Sequence, residues 1–458
     1  MLPMTLFEIA SAVSGKLLGN DVSPNTPITD VTIDTRTAQP GALYVPIVGE
    51  HFDGHDFIRN ARAKGVSCVL SAHPLDDDGP YILVADTLIA LQDIAAYYRN
   101  QFDIPIIGIT GSVGKTSTKE MLAAALSTGF TVLKTDGSFN NQTGVPLTIF
   151  RLDRAHEVAI IEMGTNHFGE IAALTKIVQP TICLFTNIGV AHIEFFGSRE
   201  GIFKGKTEML HGMRPGGTIL VNGDDDLLVT IPNALRYGRS ESCDMRATDI
   251  VDLGLDGSQF TAHFKGEQIR VHVPAPGLHS VSNALAAMIT GKVLGMTLEQ
   301  LSAGVEGYRA APGRMCIHHT EHLTIIDDSY NANPNSVMAS IDVIKMLGGR
   351  RVCILGDMLE LGEQSPLYHA EVGSYAARGG IDLVLSVGTY GQFIFEGASA
   401  VNPQQARFFE TQDALLAALP SILADGDTVL VKASRGMHLE NAVRFLLELS
   451  KCSSFNLK

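Results

Sequence analysis

One lysine, three hydroxyl-bearing residues and two glycines carry the most explicit chemistry in the chain. They fall in Gly111-Ser112-Val113-Gly114-Lys115-Thr116-Ser117, directly after the apolar run Ile104–Thr110. A glycine turn that opens a helix aims backbone N–H groups and the positive end of the helix dipole at an anion. Lys115 adds a cation, and a hydroxyl such as that of Thr116 can reach Mg²⁺. The strict pattern G-x-x-x-x-G-K-[ST] would need glycine at 109, where this chain has Ile109. The stretch reads as a nucleoside triphosphate loop, with a purely structural glycine turn as the alternative.

Further candidates stand at the ends of other apolar runs. Glu162 closes VAIIE (Val158–Glu162), and a carboxylate there needs a partner, several hydrogen bonds or a metal. Mg²⁺ ligation and the capping of a nearby helix are the two readings. His192 lies in NIGVAHIEFFGS after the strand ICLFT, as a packed residue or a functional one. Lys204 and Lys206 follow in SREGIFKGKTEML, where charge spacing alone reads as a solvated helix face. HHTEH (His318–His322) suggests a metal cluster, but strand alternation would split its side chains between two faces. IIDDSYNANPNS (Ile325–Ser336) suits a ribose, an adenine face or a peptide-like substrate, and Asn335 or Ser336 could cap the next helix. KASRGM (Lys432–Met437) places two cations after the last strand, as partners for carboxylate or phosphate.

Alternating elements must position these residues. Up to about residue 100, short strands alternate with helices, closed by a helix over Thr87–Arg99. Between Ile104 and Val221, strands at Ile104–Thr110, Val132–Lys134, Val158–Glu162, Ile182–Thr186 and Thr218–Val221 predict a parallel sheet with ligands at its carboxyl edge. A β-rich stretch, Met245–Val273, and helices Val281–Leu294 and Leu298–Gly304 follow. Strands and helices alternate again from Met315 to Leu449. Gln101–Pro105 and Ala310–Gly313 are the expected boundaries of three domains: 1–102, 103–312 and 313–458.

The totals agree with a soluble α/β protein. At 458 residues the chain exceeds one core, and 45% hydrophobic with 18% charged residues is ordinary for globular proteins. A net charge of −15 argues against nucleic acid as main partner, though not against an anionic substrate. Cys68, Cys183, Cys243, Cys316, Cys353 and Cys452 form no C-x-x-C pair, which suits reduced thiols and offers no zinc framework. The N-terminus lacks a basic n-region, and no apolar run approaches a membrane span. The expectation is a cytoplasmic protein without membrane insertion.

TGSVGKTS, FNNQTGVPLT, EMGTNHFGEI, NIGVAHIEFFGS, HSVSNALAA, DDSYNANPNS, LGDMLELG and KASRG occur in the order that resembles a Mur ligase. IDTRT and GALYVPIVGEHFDGHDF extend the likeness over essentially the whole chain. Family loops are typically T-G-x-x-G-K-[ST], which accounts for Ile109. DDSYNANPNS and LGDMLELG resemble the branch that adds D-alanyl-D-alanine, and the D-N-P-R segment of the diaminopimelate- or lysine-adding branch is absent.

The resemblance implies an α/β protein of three domains: an N-terminal UDP-binding domain, a central P-loop parallel-sheet ATPase domain and a C-terminal Rossmann-like domain. It implies ATP, two Mg²⁺ sites, UDP-MurNAc-tripeptide and D-alanyl-D-alanine as ligands of a monomer. Carried over, Lys115 holds the β/γ-phosphates, and Thr116 and Glu162 hold one Mg²⁺. His192 serves the second, and Lys206 matches a lysine that family members carbamylate. Gly111, Ser112, Val113, Gly114 and Ser117 complete the loop, with Asn283, Arg314, Asp328 and Tyr330 at the nucleotide. Thr35 and Arg36 match the uridine-nucleotide motif, and Asn141 and Thr143 approach the muramoyl-peptide. Asn331, Asn333, Lys432 and Arg435 face the dipeptide or phosphate. Another Mur-type or folylpolyglutamate-type amide ligase, or a regulatory NTPase, are the alternatives.

Overall fold

The computed structural model describes residues 1–20 and 22–451, and Cys452 lies outside them. The chain forms two compact units. One comprises Met1–Ile109, Phe130–Cys183 and Thr207–Thr218; the other comprises Thr110–Gly129, Leu184–Lys206 and the chain from Ile219 onward.

In the first unit a five-stranded sheet runs in the order Lys16–Leu18, Tyr81–Leu83, Cys68–Ser71, Ala42–Tyr44, Asp30–Thr32. Its pairings are parallel except at the Lys16–Leu18 edge. The helix Thr87–Arg99 begins on an Asp86 cap whose carboxylate accepts from Ile89 N at 2.9 Å. It ends on a fully buried Arg99 that donates to the carbonyls of Val178 and Phe102 at 2.8 and 2.7 Å. Tyr98 donates to Leu152 O at 2.6 Å. Those bonds tie the N-terminal segment to the chain around residues 152–178. Here too the strands Val132–Lys134 and Ile106–Thr110 flank Val158–Glu162, all parallel. Burial on both faces explains the mostly apolar composition of Ile106–Thr110 and Val158–Glu162.

In the second unit Thr218–Asn222, Leu235–Gly238 and Met245–Asp252 pair in parallel. Ser258–Phe264 and Glu267–Val273 then continue antiparallel. Lys265-Gly266, both at positive φ, form the two-residue turn of that last hairpin. The C-terminal sheet has six strands in the order Cys316–His319, Leu323–Asp327, Asp427–Lys432, Arg351–Gly356, Leu383–Val387, Ala406–Phe409. All pairings are parallel but the first. Alternation sorts its side chains between two cores. Val352 and Ile354 pack with Leu415, Leu419, Val443 and Leu446 on one face. Cys353 and Leu355 pack with Ile341, Ile344, Val372 and Ile394 on the other. Helices thus cover both faces of a mostly parallel sheet, as the Rossmann-like expectation requires.

Some local readings change. The helix after the phosphate loop begins at Lys115, because Gly114 turns the chain with φ +82. Sequence patterning leaves out the helices Glu170–Val178 and Gly391–Val401 and the strands Lys16–Leu18, Leu235–Gly238 and Ala406–Phe409. The described cysteines are free thiols. Burial pushes the Cys68 and Cys183 thiols up to about 12, so they are inert at neutral pH.

Candidate active site

The loop after Ile106–Thr110 is wired by a segment the sequence reading did not assign. Ser112 N donates to Asn187 O at 3.0 Å and Val113 N to Asn187 Oδ1 at 2.9 Å. Thr186 Oγ1 and Asn187 Nδ2 both donate to Val113 O, at 2.6 and 3.1 Å. A Cβ on residue 111 would stand 1.9 Å from Thr186 Oγ1, so only glycine fits. No side chain caps the helix Lys115–Leu126. Its first N–H groups therefore keep the anion-binding potential of a helix start. Lys115 Nζ donates back to Gly111 O at 2.7 Å, and Thr116 is buried in the first turn. The buried hydroxyls of Thr110 and Ser112 have no hydrogen-bond partner, a state that phosphate oxygens would relieve.

Asn283 Oδ1 accepts from Thr118 Oγ1 at 2.9 Å and lies 3.4 Å from where a Cβ on Gly114 would stand. That brings the expected adenine-side residue to the loop. Tyr308, its phenol raised to about 12 by burial, bonds Ser117.

The helix Arg199–Thr207 corrects the solvated-face reading. Lys204 is exposed, but Lys206 is only 1% exposed. Burial, and then the cation of Lys115, hold its amine well below the ordinary lysine value. His192 precedes the turn Ile193–Phe196 with φ +62, and its Nδ1 pairs with the Glu360 carboxylate. Glu360 belongs to LGDMLELG, a stretch that carries the family resemblance but in which no residue is assigned a role from sequence.

Glu162, in the first unit, is 1% exposed. One of its oxygens accepts from Asn140 Nδ2 at 2.8 Å, and its N–H donates to Thr135 Oγ1 at 3.0 Å. It stands in register with Ile109, the residue preceding Thr110. Asn141 Oδ1 accepts from Thr143 N, Thr143 Oγ1 and Gly144 N, so it organises the start of the helix Gly144–Ile149. Arg36 is exposed and forks onto Asp34, at 2.7 Å from Nη2, drawing that carboxyl down to about 2; Thr35 lies between them.

The C-terminal residues divide. Lys432, 2% exposed, donates to Asp328 Oδ2 at 2.5 Å and to Asn331 O at 2.9 Å. Asp328 also accepts from Ser340 Oγ at 2.7 Å and Met315 N at 3.2 Å. In this structure the Lys432 ammonium is answered within its own loop, by Asp328 and Asn331. The helix Pro334–Lys345 is capped by Asn333, whose Oδ1 accepts from Ser336 N at 2.9 Å. The N-cap is therefore Asn333 rather than Asn335, and Ser336 completes a capping box, its Oγ accepting from Asn333 N at 3.0 Å. Arg314 and Arg435 stand over the Tyr330 ring at 4.1 and 5.4 Å, two guanidinium groups on one aromatic face system. Arg435 N also donates to Asn331 Oδ1 at 3.4 Å. His318 and His319 lie in an edge strand, and among the described residues no group of three His, Cys, Asp or Glu could hold a metal.

Doubly wound α/β units and a glycine-turned phosphate loop, with a buried low-pKa lysine beside its cation, define a P-loop nucleotide-dependent enzyme. Residues 27–108 match the Mur ligase family catalytic domain, 109–291 the Mur ligase middle domain, and 313–435 the Mur ligase glutamate ligase domain. The chain belongs to the Mur ligase family. It is 38% identical over 462 residues to UDP-N-acetylmuramoyl-tripeptide–D-alanyl-D-alanine ligase of Escherichia coli (strain K12), covering 99% of this chain and 100% of that protein. Its fold superposes on MurF from Acinetobacter baumannii with a TM-score of 0.92 at 33% identity, covering 98% and 99% of the two chains. MurF ligase from Thermotoga maritima, solved in complex with ADP, superposes with a TM-score of 0.83 at 27% identity, covering 92% and 98%.

Proposed function

We propose that this chain joins D-alanyl-D-alanine to UDP-MurNAc-tripeptide with cleavage of ATP, a step of peptidoglycan precursor synthesis. The end-to-end likeness to ligases of that one specificity carries the reading. A carboxylate resists attack by an amine until its oxygen becomes a leaving group. Transfer of the γ-phosphoryl of ATP to the terminal carboxylate of the tripeptide supplies one, giving an acyl phosphate and ADP. The dipeptide's amine then attacks the acyl carbon, and phosphate leaves from the tetrahedral intermediate with loss of a proton.

Two anions meet in the first step, so the site must hold positive charge. Lys115 and the N–H groups after Gly114 are assigned to the triphosphate, with Asn283, Arg314, Asp328 and Tyr330 on its nucleoside side. The oxygens of Thr116 and Glu162 are hard donors of the kind Mg²⁺ takes, and His192 with Lys206 would serve a second ion. Bound there, Mg²⁺ would neutralise charge between phosphate and carboxylate. The depressed pKa of Lys206 supports carbamylation, since a neutral amine is what reacts with CO₂. The carbamate would replace a cation by an anionic oxygen. Thr35 and Arg36 are assigned to the UDP group, Asn141 and Thr143 to the muramoyl-peptide, and Asn331 and Arg435 to the dipeptide or phosphate. Lys432 and Asn333 act on these groups only by holding the loop that presents them. In this reading 1–102, 103–312 and 313–458 act as three domains of a cytoplasmic monomer. Among the described residues no helix is long and apolar enough to cross a membrane.

Purified protein with ATP, Mg²⁺ and UDP-MurNAc-tripeptide, with and without D-alanyl-D-alanine, tests the reading. Dipeptide-dependent formation of a UDP-pentapeptide is expected. Phosphate release that ignores the dipeptide, with no new nucleotide product, would overturn it.

A further inference from the structure

His192 and Glu360 are 168 residues apart in sequence, yet their side chains meet. Both also hold their backbones in the left-handed region, with φ of +62 and +63. Few residues other than glycine adopt that conformation, and they keep it where the surroundings over-determine it.

The surroundings here do so. The loop carrying Glu360 is pinned before the glutamate at two backbone N–H groups. Met358 N donates to His369 Nε2 at 2.8 Å, and Leu359 N donates to Ser434 Oγ at 2.9 Å. Just after it, Gly362 lies against Glu194, 3.4 Å from where its Cβ would stand. The pair stands beside a cavity of about 730 Å³, whose lining includes Ile193, Glu194, Glu360 and Tyr390.

We propose that Glu360 is a positioning residue for His192, fixing the imidazole with its proton on Nδ1 and its lone pair on Nε2. The inference rests on the assignment of His192 to a Mg²⁺ site. A carboxylate that accepts a hydrogen bond from Nδ1–H leaves the Nε2 lone pair for a metal and sets the plane of the ring. Glu360 comes from the C-terminal family segment and His192 from the middle one. The imidazole is therefore oriented only while residues 358–362 are seated against the turn Ile193–Phe196. Seating of the C-terminal segment and readiness of the metal-binding nitrogen become one event.

The test is direct and needs no turnover. Full-length protein labelled with ¹⁵N-histidine is studied metal-free near pH 8.5, about two units above the ordinary imidazole value. The His192 signals are assigned by their loss in His192→Gln. Wild type and Glu360→Gln, whose amide oxygen still accepts, are expected to show the Nδ1–H form. Glu360→Ala should shift His192 toward the Nε2–H form and leave the other histidines unmoved. Mn²⁺ titration followed by EPR should weaken about 10- to 100-fold in Glu360→Ala and only a few-fold in Glu360→Gln. An unchanged His192 tautomer in Glu360→Ala would overturn the assignment, as would Glu360→Gln behaving like Glu360→Ala. Wild-type protein with the Nδ1–H form but no dipeptide-dependent ligation would overturn the ligase reading and leave the role of Glu360 supported.

Discussion

Lys206 and Lys432 are both buried to within 2% exposure, and burial lowers the pKa of each, but their neighbours differ in sign. Lys432 donates to the carboxylate of Asp328 and the carbonyl of Asn331, and Asp328 above all raises its pKa back toward the charged form. Lys206 meets the cation of Lys115, which pushes the same way as burial. The first lysine is a pin. Its charge is answered, and the answering groups are the backbone and carboxylate of the loop 328–331. The second is held in an unfavourable state for a charge, which is how a fold keeps an amine neutral and nucleophilic. Burial alone does not separate the two roles; the sign of the neighbour does.

Substitution should separate them sharply. Lys206→Ala is expected to lower turnover about 100-fold or more, the scale on which a preorganised charge at a reacting phosphate acts. Short carboxylic acids added to that variant should restore part of the rate, because they return the oxygen that a carbamate would supply. Full activity in Lys206→Ala would remove the distinction altogether.

Stability should move the opposite way. Lys432→Met leaves Asp328 buried without its cation and is expected to cost about 3–5 kcal/mol in chemical denaturation. Lys206→Met removes an amine that burial already disfavours as a charge, so the same measurement should show little change or a gain. Lys432→Met combined with Asp328→Leu should recover much of the loss, because the double variant leaves no isolated charge. Equal destabilisation by Lys206→Met and Lys432→Met would break the comparison.

A third buried group extends it to pH. His369 Nε2 accepts from Met358 N, and Nδ1–H donates to Ser365 O at 2.6 Å, a role that requires the neutral ring. Burial lowers its pKa from about 6.5 to about 4. Below pH 6.5 the unfolded chain takes up a proton that the folded one refuses. Stability should therefore fall as pH drops from about 6.5 to about 4, by at most about 3 kcal/mol. His369→Gln should be less stable at neutral pH yet lose this slope, measured by denaturant unfolding across that range.

The parts of the fold that were legible in sequence are those whose cause is local. Val132–Lys134 and Val158–Glu162 match the expected strands residue for residue, and in the second, burial on both faces leaves few polar positions. The phosphate loop was legible for the same reason: its chemistry is contiguous. Lys206 was legible only through the family resemblance, because nothing in REGIFKGKT marks which face is covered. Phe196 packs at Gly205, where a Cβ would come within 2.5 Å of its ring, so part of this helix is covered by a residue that precedes it in the chain. Glu360 and Asn187 were invisible because each acts through a partner far along the chain. The β-rich stretch Met245–Val273 was legible as a whole, while four-residue strands such as Leu235–Gly238 are too short to show a period.

Asn333 and Arg435 carry the contrast to its smallest scale. Both were assigned to the dipeptide or phosphate region. Asn333 places its carbonyl oxygen on Ser336 N at a helix start with Pro334 in the first turn. Arg435 is mostly exposed, over the ring of Tyr330. If the cap is what Asn333 does, Asn333→Ala should cost about 1 kcal/mol in unfolding free energy, while Asn333→Asp, which still caps, stays within a few tenths. The Michaelis constant for D-alanyl-D-alanine should be unchanged in both. Arg435→Ala should show the reverse pattern, with stability intact and that constant raised. A raised constant in Asn333→Asp at full stability would return Asn333 to the substrate, and the division between residues that build the loop and residues that use it would then run through Asn331 instead.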